Sequence, residues 1–447
     1  MEKESIEKKK ASALKVSIVE GSVNSFSTSI SNSYITPFAL KLSDKDLYIG
    51  ILSAISGLFA PLAQLFGSKM MESYSRKKIV LKASLWQAIM WLPLTVIAIM
   101  KMYGIQEPAL IYYLIIFYSL IAALGGAYYP AWFSWMGDLV SDKEKGKYFS
   151  KRNTITGIVE LLAVILATAL LNYTENKVYA LVGFALIFFF SFLFRYISFL
   201  ILHKQYSPHA KSKEVYKIKI STLIKENKDY RRFAIYQMFF NFAIMIASPF
   251  FAVYMLKDLG FSYWNYILVT LSSSVFYLLF TPLIGKISDK YGNVSLLLLA
   301  NVLFAVNPVL WIFIKNPAAL ILLPQLVSGL ANAASIISFT NFSYDYLNEK
   351  ERGVGIAYAN LLSGIGIFVG SLIGGVLLDY LNIAFINKFI FIFAVSAILR
   401  ALVALVFLPK IKEKKKVKEI PVMHISLLHP FKSIHSEIGW IKEVVVS

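Results

Sequence analysis

The chain has 447 residues, no cysteine, 57% hydrophobic residues and only 16% charged residues, with a mean hydropathy of +0.63. A soluble chain carries about a quarter of its residues charged, so this composition excludes disorder, collagen, a soluble enzyme and any disulfide or thiolate-metal framework. The net charge is +19, and all five His lie outside the apolar runs, which argues against a His-based metal site. A multi-pass membrane protein remains, with no cofactor expected.

A helix needs about 20 apolar residues to cross about 30 Å of hydrocarbon. Uncharged runs of this kind occur at 21–40, 47–68, 83–100, 108–137, 161–174 and 178–194. The fifth extends back to about Asn153, with Glu160 inside it. A basic stretch follows. Further runs occupy 233–256, 259–285, 293–314, 316–344, 353–378 and 389–399, the last continuing past Arg400 to Pro409. The reading is an all-α membrane protein of twelve spans. Its expected parts are a tail (1–13), a six-helix bundle (14–202), a basic linker (203–232), a second six-helix bundle (233–409) and an amphipathic tail (410–447). No segment reads as a cleavable signal peptide.

Of the 45 Lys and Arg, 36 fall in the tails, the linker and the loops after even-numbered spans, and 7 on the other side. Basic loops stay inside, so both termini are expected in the cytoplasm and the chain in the plasma membrane. Anionic inner-leaflet lipid is the expected contact of the basic segments. Retained loops account for the positive charge without a nucleic-acid partner.

The halves match in order. Pro37-Phe38 followed by Lys45-Asp46-Leu47 recurs as Pro249-Phe250 and Lys257-Asp258-Leu259. Asp138, Glu144, Gly146 and Asn153 recur 207 residues on as Asp345, Glu351, Gly353 and Asn360, and Arg195 recurs as Arg400. A duplicated six-span unit gives two bundles related by a pseudo-two-fold axis, which can rock around a central site: the alternating-access design of secondary transporters.

The loop after span 8 carries Gly285, Asp289, Lys290 and Gly292. The equivalent loop after span 2 carries Glu72, Ser75 and the basic run from Arg76 to Lys78. This pattern resembles the signature of the major facilitator superfamily, roughly G-x-x-x-D-R-x-G-R-R; in the first copy Ser75 stands in place of the glycine. The resemblance implies the two-bundle fold and a functional monomer. It also implies a gating loop in which Asp289 latches to Lys151 or Arg152, and Glu72 to Arg352. The bland alternative is that these charges anchor loops to headgroups.

Charges inside spans are expensive, about 2.5–3.5 kcal/mol each at mid-helix. Glu20, Glu160, Arg195 and Arg400 therefore need partners or a wet cavity, and are candidates for coupling or charge relay. Glu160 with Arg195 is the pair guessed from adjacent spans. Span 1 is crowded with Ser and Asn, more than a lipid-facing helix tolerates. In the resembled family helices 1, 4, 7 and 10 line the cavity. That implies substrate-cavity candidates Asn24, Thr28 and Asn32, Tyr128 and Trp132, Gln237 and Asn241, and Asn332 and Asn341; helix packing is the alternative for each. Glycines every four residues in span 11 (Gly366, Gly370, Gly374) permit close helix approach. Span 5 has no proline, unlike the Gly-Pro motif of the drug–proton antiporters of the family.

The function expected is secondary transport of a small organic solute, with possible proton coupling. The alternatives are a drug or metabolite efflux antiporter, or a non-transporting receptor or subunit. No Walker A motif and no acid–base cluster argue for an ATPase or any other enzyme.

Overall fold

The computed structural model describes residues 2–105, 108–141, 144–175, 181–208, 223, 225–380 and 386–414. Every extended element among them is helical. The first half gives α1 (Glu2–Asn32), α2 (Ile35–Leu42), α3 (Leu47–Met70), α4 (Arg76–Ile89), α5 (Trp91–Met102), α6 (Ala109–Leu139), α7 (Lys145–Glu175) and α8 (Val182–Lys204). The second gives α9 (Lys228–Met245), α10 (Phe250–Val253), α11 (Tyr263–Tyr291), α12 (Asn293–Phe313), α13 (Pro317–Leu320), α14 (Leu326–Tyr346), α15 (Glu349–Tyr380) and α16 (Lys388–Phe407). π turns continue α10 through Tyr254–Asp258 and join α13 to α14 through Ile321–Gln325.

Eleven stretches among the described residues are long and apolar enough to cross a membrane. They correspond to the expected spans 2 to 12. Span 1 is the polar one: α1 and α2 occupy it, and its Ser and Asn residues dilute its hydropathy. The expected N-terminal tail is helical from Glu2, continuous with the span. The seventh span starts at Lys228, five residues before the expected Phe233. Half of the expected linker (209–222 and 224) and the amphipathic tail beyond 414 lie outside the described residues.

Contacts group the chain into two units. One comprises Met1–Lys217, Gln237–Leu268 and Ala357–Ile392; the other comprises Ile218–Tyr236, Val269–Ile356 and Phe393–Ser447. Residues 237–268 and 357–392 thus go with the first six spans.

In the first unit α3 packs on α6, α1 on α7 and α8, and α4 on α6 and α8. The buried face of α8 runs Phe184, Ile187, Phe188, Ser191, Arg195, Ser198 and Leu202, a three-and-four spacing that is apolar at one end and polar at the other. The matching face of α1 buries Ser17, Glu20, Ser27 and Ser31. Ser27 donates to the Ser191 carbonyl at 2.7 Å and fixes the register of the two helices. A Cβ on Gly366, Gly370 or Gly374 of α15 would run into the carbonyl oxygens of Met238, Phe242 and Ile246, four residues apart on α9 and its end. That is the close approach the glycine spacing predicts.

In the second unit α12 packs against α14. Gly292 has φ +83° before α12, a backbone region that disfavours side chains. The corresponding Ser75 has an ordinary extended φ, −63°, and caps α4 by accepting the Lys78 N–H. The departure from glycine in the first loop is thus a different turn that does not require one.

Candidate functional site

One buried charge cluster of the first unit lies where α1, α4, α6, α7 and α8 meet. Glu20 on α1 is fully buried. One carboxylate oxygen accepts from the Ser198 hydroxyl at 2.9 Å and lies 3.8 Å from the Arg195 guanidinium. The other lies 3.8 Å from Arg152 and has no hydrogen bond.

Arg195 is 1% exposed. A guanidinium has five N–H donors to satisfy, and the surrounding helices supply the acceptors. Nε donates to Gln87 at 2.8 Å, and the terminal nitrogens to Asn24 at 2.6 Å, Ser198 at 3.0 Å and Ser84 at 3.3 Å. The plane sits over the Tyr128 ring at 5.0 Å. Such polar partners compensate the cost of burying the charge.

Arg152, at the start of α7, is held differently. Its Nε makes a long 3.4 Å hydrogen bond to the Ser17 carbonyl, and its plane stacks over the Trp132 ring at 4.5 Å. Gly21 leaves the room it occupies, since a Cβ there would strike the guanidinium. Its side chain keeps 12% exposure. The Trp132 indole N–H is buried and has no acceptor among the described residues.

The structure therefore brings together Glu20, Asn24, Tyr128, Trp132, Arg152 and Arg195 of the residues singled out above, and adds Ser84, Gln87 and Ser198. Glu160 is corrected: it lies on an exposed face of α7, and the carboxylate beside Arg195 is Glu20. Arg400, the repeat mate of Arg195, is equally buried but donates to the Phe304 carbonyl.

The other candidates are dispersed. Thr28 bonds back to the carbonyls of Asn24 and Ser25. Asn32 lines a cavity of about 180 Å³ with Thr36, Ser53, Ser56, Tyr118 and Pro249. Gln237 is buried with its side-chain oxygen unpartnered, and Asn241 donates to the Gln237 carbonyl. Asn332 donates to Ser328; Asn341 donates to Ser288 and Asn293. In the loop motifs Glu72 and Asp289 are exposed, and Gly285 is half-buried at the end of α11. Arg76 pairs with Asp138, Lys290 approaches the Tyr291 ring at 5.3 Å, and Arg352 stacks on Tyr344 at 4.3 Å.

A second ionic network was not singled out from sequence. Asp46, in the loop between α2 and α3, is fully buried. It pairs with Lys257 at 2.9 Å and with Lys388. Asp379 accepts the backbone N–H groups of Asp46 and Leu47 at 2.8 and 3.1 Å. The visible signal was the duplicated Lys-Asp-Leu triplet. It marks the repeat, but nothing in one sequence shows that Asp46 of the first copy meets Lys257 of the second.

A helical chain with this many membrane-crossing segments and a salt-bridged core is an all-α membrane protein of the transporter type. The family model of the Major Facilitator Superfamily matches residues 21–269 and 233–438. The chain belongs to that superfamily. Among curated proteins it is 30% identical over 145 residues to the vacuolar basic amino acid transporter 1 of Saccharomyces cerevisiae, a match over 32% of this chain and 26% of the relative. It is 27% identical over 117 residues to the uncharacterized MFS-type transporter YfiU of Bacillus subtilis, over 26% and 22%. The chain thus spans only about a quarter of the length of these relatives. Among solved structures it is similar to the nucleoside transporter NupG, with TM-score 0.67, 15% identity and coverage of 91% of this chain and 99% of that one. It is also similar to a bacterial homologue of the iron transporter ferroportin in an inward-facing state, with TM-score 0.69, 15% identity and coverage of 90% and 99%. These likenesses establish the fold.

Proposed function

We propose that the chain is a plasma-membrane secondary transporter with cytoplasmic termini that moves a small organic solute by alternating access. The observation that carries this reading is the buried Glu20 between Arg152 and Arg195. Ionisable groups inside membrane-spanning segments are costly and mark solute or proton pathways. Glu20 is the proposed coupling group: it has one oxygen bound to Ser198 and one without a hydrogen bond. Asn32, with its neighbours Ser53 and Tyr118, is proposed to belong to the solute path, because a cavity with polar groups in its lining lies there.

The two ionic networks support alternation. Asp46 with its two lysines ties loops from both copies of the repeat together at the end of the unit opposite Glu2. A path that opens at that end must break those pairs.

The test is uptake of labelled solutes into proteoliposomes with and without an imposed proton gradient. Basic amino acids belong on the panel because one relative carries that name. Gradient-dependent flux is expected in the wild type, with Glu20→Gln losing the gradient dependence. Flux that is identical with and without the gradient in both proteins would remove Glu20 from coupling. Absence of flux across a broad panel would favour a non-transporting receptor or subunit.

A further inference from the structure

We infer that Arg152 and Trp132 form a recognition point for a monovalent anionic group, a carboxylate or a phosphodiester, on the transported solute; the inference rests on the transporter reading above. The two guanidinium groups of the cluster are unequal. Arg195 spends its donors on Gln87, Asn24, Ser198 and Ser84, and it is sealed from solvent. It is a fixed part of the wall. Among the described residues Arg152 makes one hydrogen bond, the long one from Nε to Ser17, and the acid its terminal nitrogen approaches is Glu20, at 3.8 Å. Charge-assisted N–H···O bonds run about 2.7–2.9 Å, so this approach leaves the fork of Arg152 free to bond an incoming group. Of the three charged groups in the cluster, Arg152 is the partly exposed one.

Trp132 supplies the second donor. Its ring is the platform under Arg152, and its own indole N–H is buried with no acceptor among the described residues. A buried donor left unmatched carries its desolvation cost uncompensated, so an arriving oxygen that accepts from it offsets that cost. The ring that carries this N–H has its centroid 4.5 Å from the Arg152 guanidinium, so a group with two or more oxygens can address both donors. The charge balance points the same way. With Glu20 ionised, two guanidiniums and one carboxylate sum to +1, and a single negative charge brings the cluster to neutrality in a setting where net charge is expensive. A cation gains nothing comparable, because Glu20 already faces two guanidinium groups. The stacked aromatic faces of Tyr128 and Trp132 extend the same surface and suit a ring attached to the anion.

The test uses the full chain in nanodiscs and a matched trio of probes: benzoate, benzamide and benzylamine. Binding is followed by calorimetry and by the shift in melting temperature. Benzoate is expected to bind and to stabilise the wild type, while the neutral and cationic analogues do not. Arg152→Gln is expected to weaken benzoate by about tenfold or more, the scale of a hydrogen bond to a charged group. Trp132→Phe keeps the platform, removes the N–H, and is expected to weaken benzoate several-fold with the aromatic packing intact. It provides the reading if Arg152→Gln fails to fold. Equal binding of all three probes, or preference for benzylamine, overturns the inference, as does benzoate binding unchanged in both variants. The same anion chemistry could come from a lipid headgroup, so the measurements are run in phosphatidylcholine with and without phosphatidylglycerol. Stabilisation by phosphatidylglycerol with no benzoate binding in either lipid overturns the solute assignment. Benzoate binding with no flux of any solute in proteoliposomes would sink the transporter reading and leave the anion point standing. Flux of neutral or cationic solutes without benzoate binding would do the reverse.

Discussion

Arg195 shows how one side chain organises a neighbourhood. Its partners come from four helices, α1, α4, α6 and α8, and it ties them to one point. Removing it also leaves Glu20 fully buried with Arg152 alone at 3.8 Å. Breaking a buried pair from one side costs about 3–5 kcal/mol, mostly from the stranded partner. Arg195→Met is therefore expected to lower the melting temperature sharply, and Glu20→Gln placed on top of it is expected to restore part of the loss. A double-mutant cycle on the purified protein reads this directly; losses that simply add would show that the two charges do not share an environment. Glu20 and Arg195 stand out in the sequence because a charge within an apolar run has few innocent explanations. Gln87, Ser84 and Ser198 do not, because an uncharged polar residue in such a run is equally at home in packing. Glu160 misled for a related reason. Sequence gives its depth along α7 but not its direction. α7 presents Leu161, Leu162, Ile165 and Leu166 outward, so apolar residues ring the helix and no polar face reveals which side is buried.

Between elements, the contact of α15 with α9 rests on what is missing from the glycines. Gly366, Gly370 and Gly374 sit on the carbonyl oxygens of Met238, Phe242 and Ile246. Backbone cannot yield as a flexible side chain does, so added atoms must push the helices apart. Overpacking of this kind costs about 1–3 kcal/mol. Gly370→Val is expected to destabilise the protein in a detergent melt by an amount in that range. Gly157→Ala on α7 is the control: nothing lies within 4 Å of its would-be Cβ, and alanine is the better helix former by up to about 1 kcal/mol. Equal losses in both variants would mean that the close approach is not what the stripe provides. This element was readable in advance, because a four-residue glycine period has a geometric meaning independent of partner. The polar first span was readable only as an anomaly. Its Ser and Asn excess showed that α1 faces protein, and the register with α8 through Ser27 and Ser191 came from the fold.

At the scale of the molecule, the repeat was legible and the use made of it was not. Lys45-Asp46-Leu47 and Lys257-Asp258-Leu259 look like equal copies, yet Asp46 is the buried hub and Asp258 accepts a hydrogen bond from Asn387 at the surface. Duplication supplies two similar loops, and their meeting makes the loops unequal, because one carboxylate takes both ammonium groups. Lys257 and Lys388 retain 28% and 42% exposure, so water screens part of each pair. Even a net contribution of about 1 kcal/mol changes an open-to-closed ratio about fivefold. Asp46→Asn keeps the size of the side chain and removes the attraction to both lysines. The chain has no cysteine, so a single Ser53→Cys reports on this end: Ser53 lines the nearby cavity and touches Ser371 at 3.2 Å. In membranes, an impermeant maleimide is expected to label that cysteine about fivefold faster when Asp46→Asn is present. In a background of Lys257→Gln with Lys388→Gln, Asp46→Asn is expected to leave the rate unchanged, since both pairs are already gone. An unchanged rate in Asp46→Asn with both lysines present would mean that the apolar contacts beneath the loops, not the ions, hold this end shut.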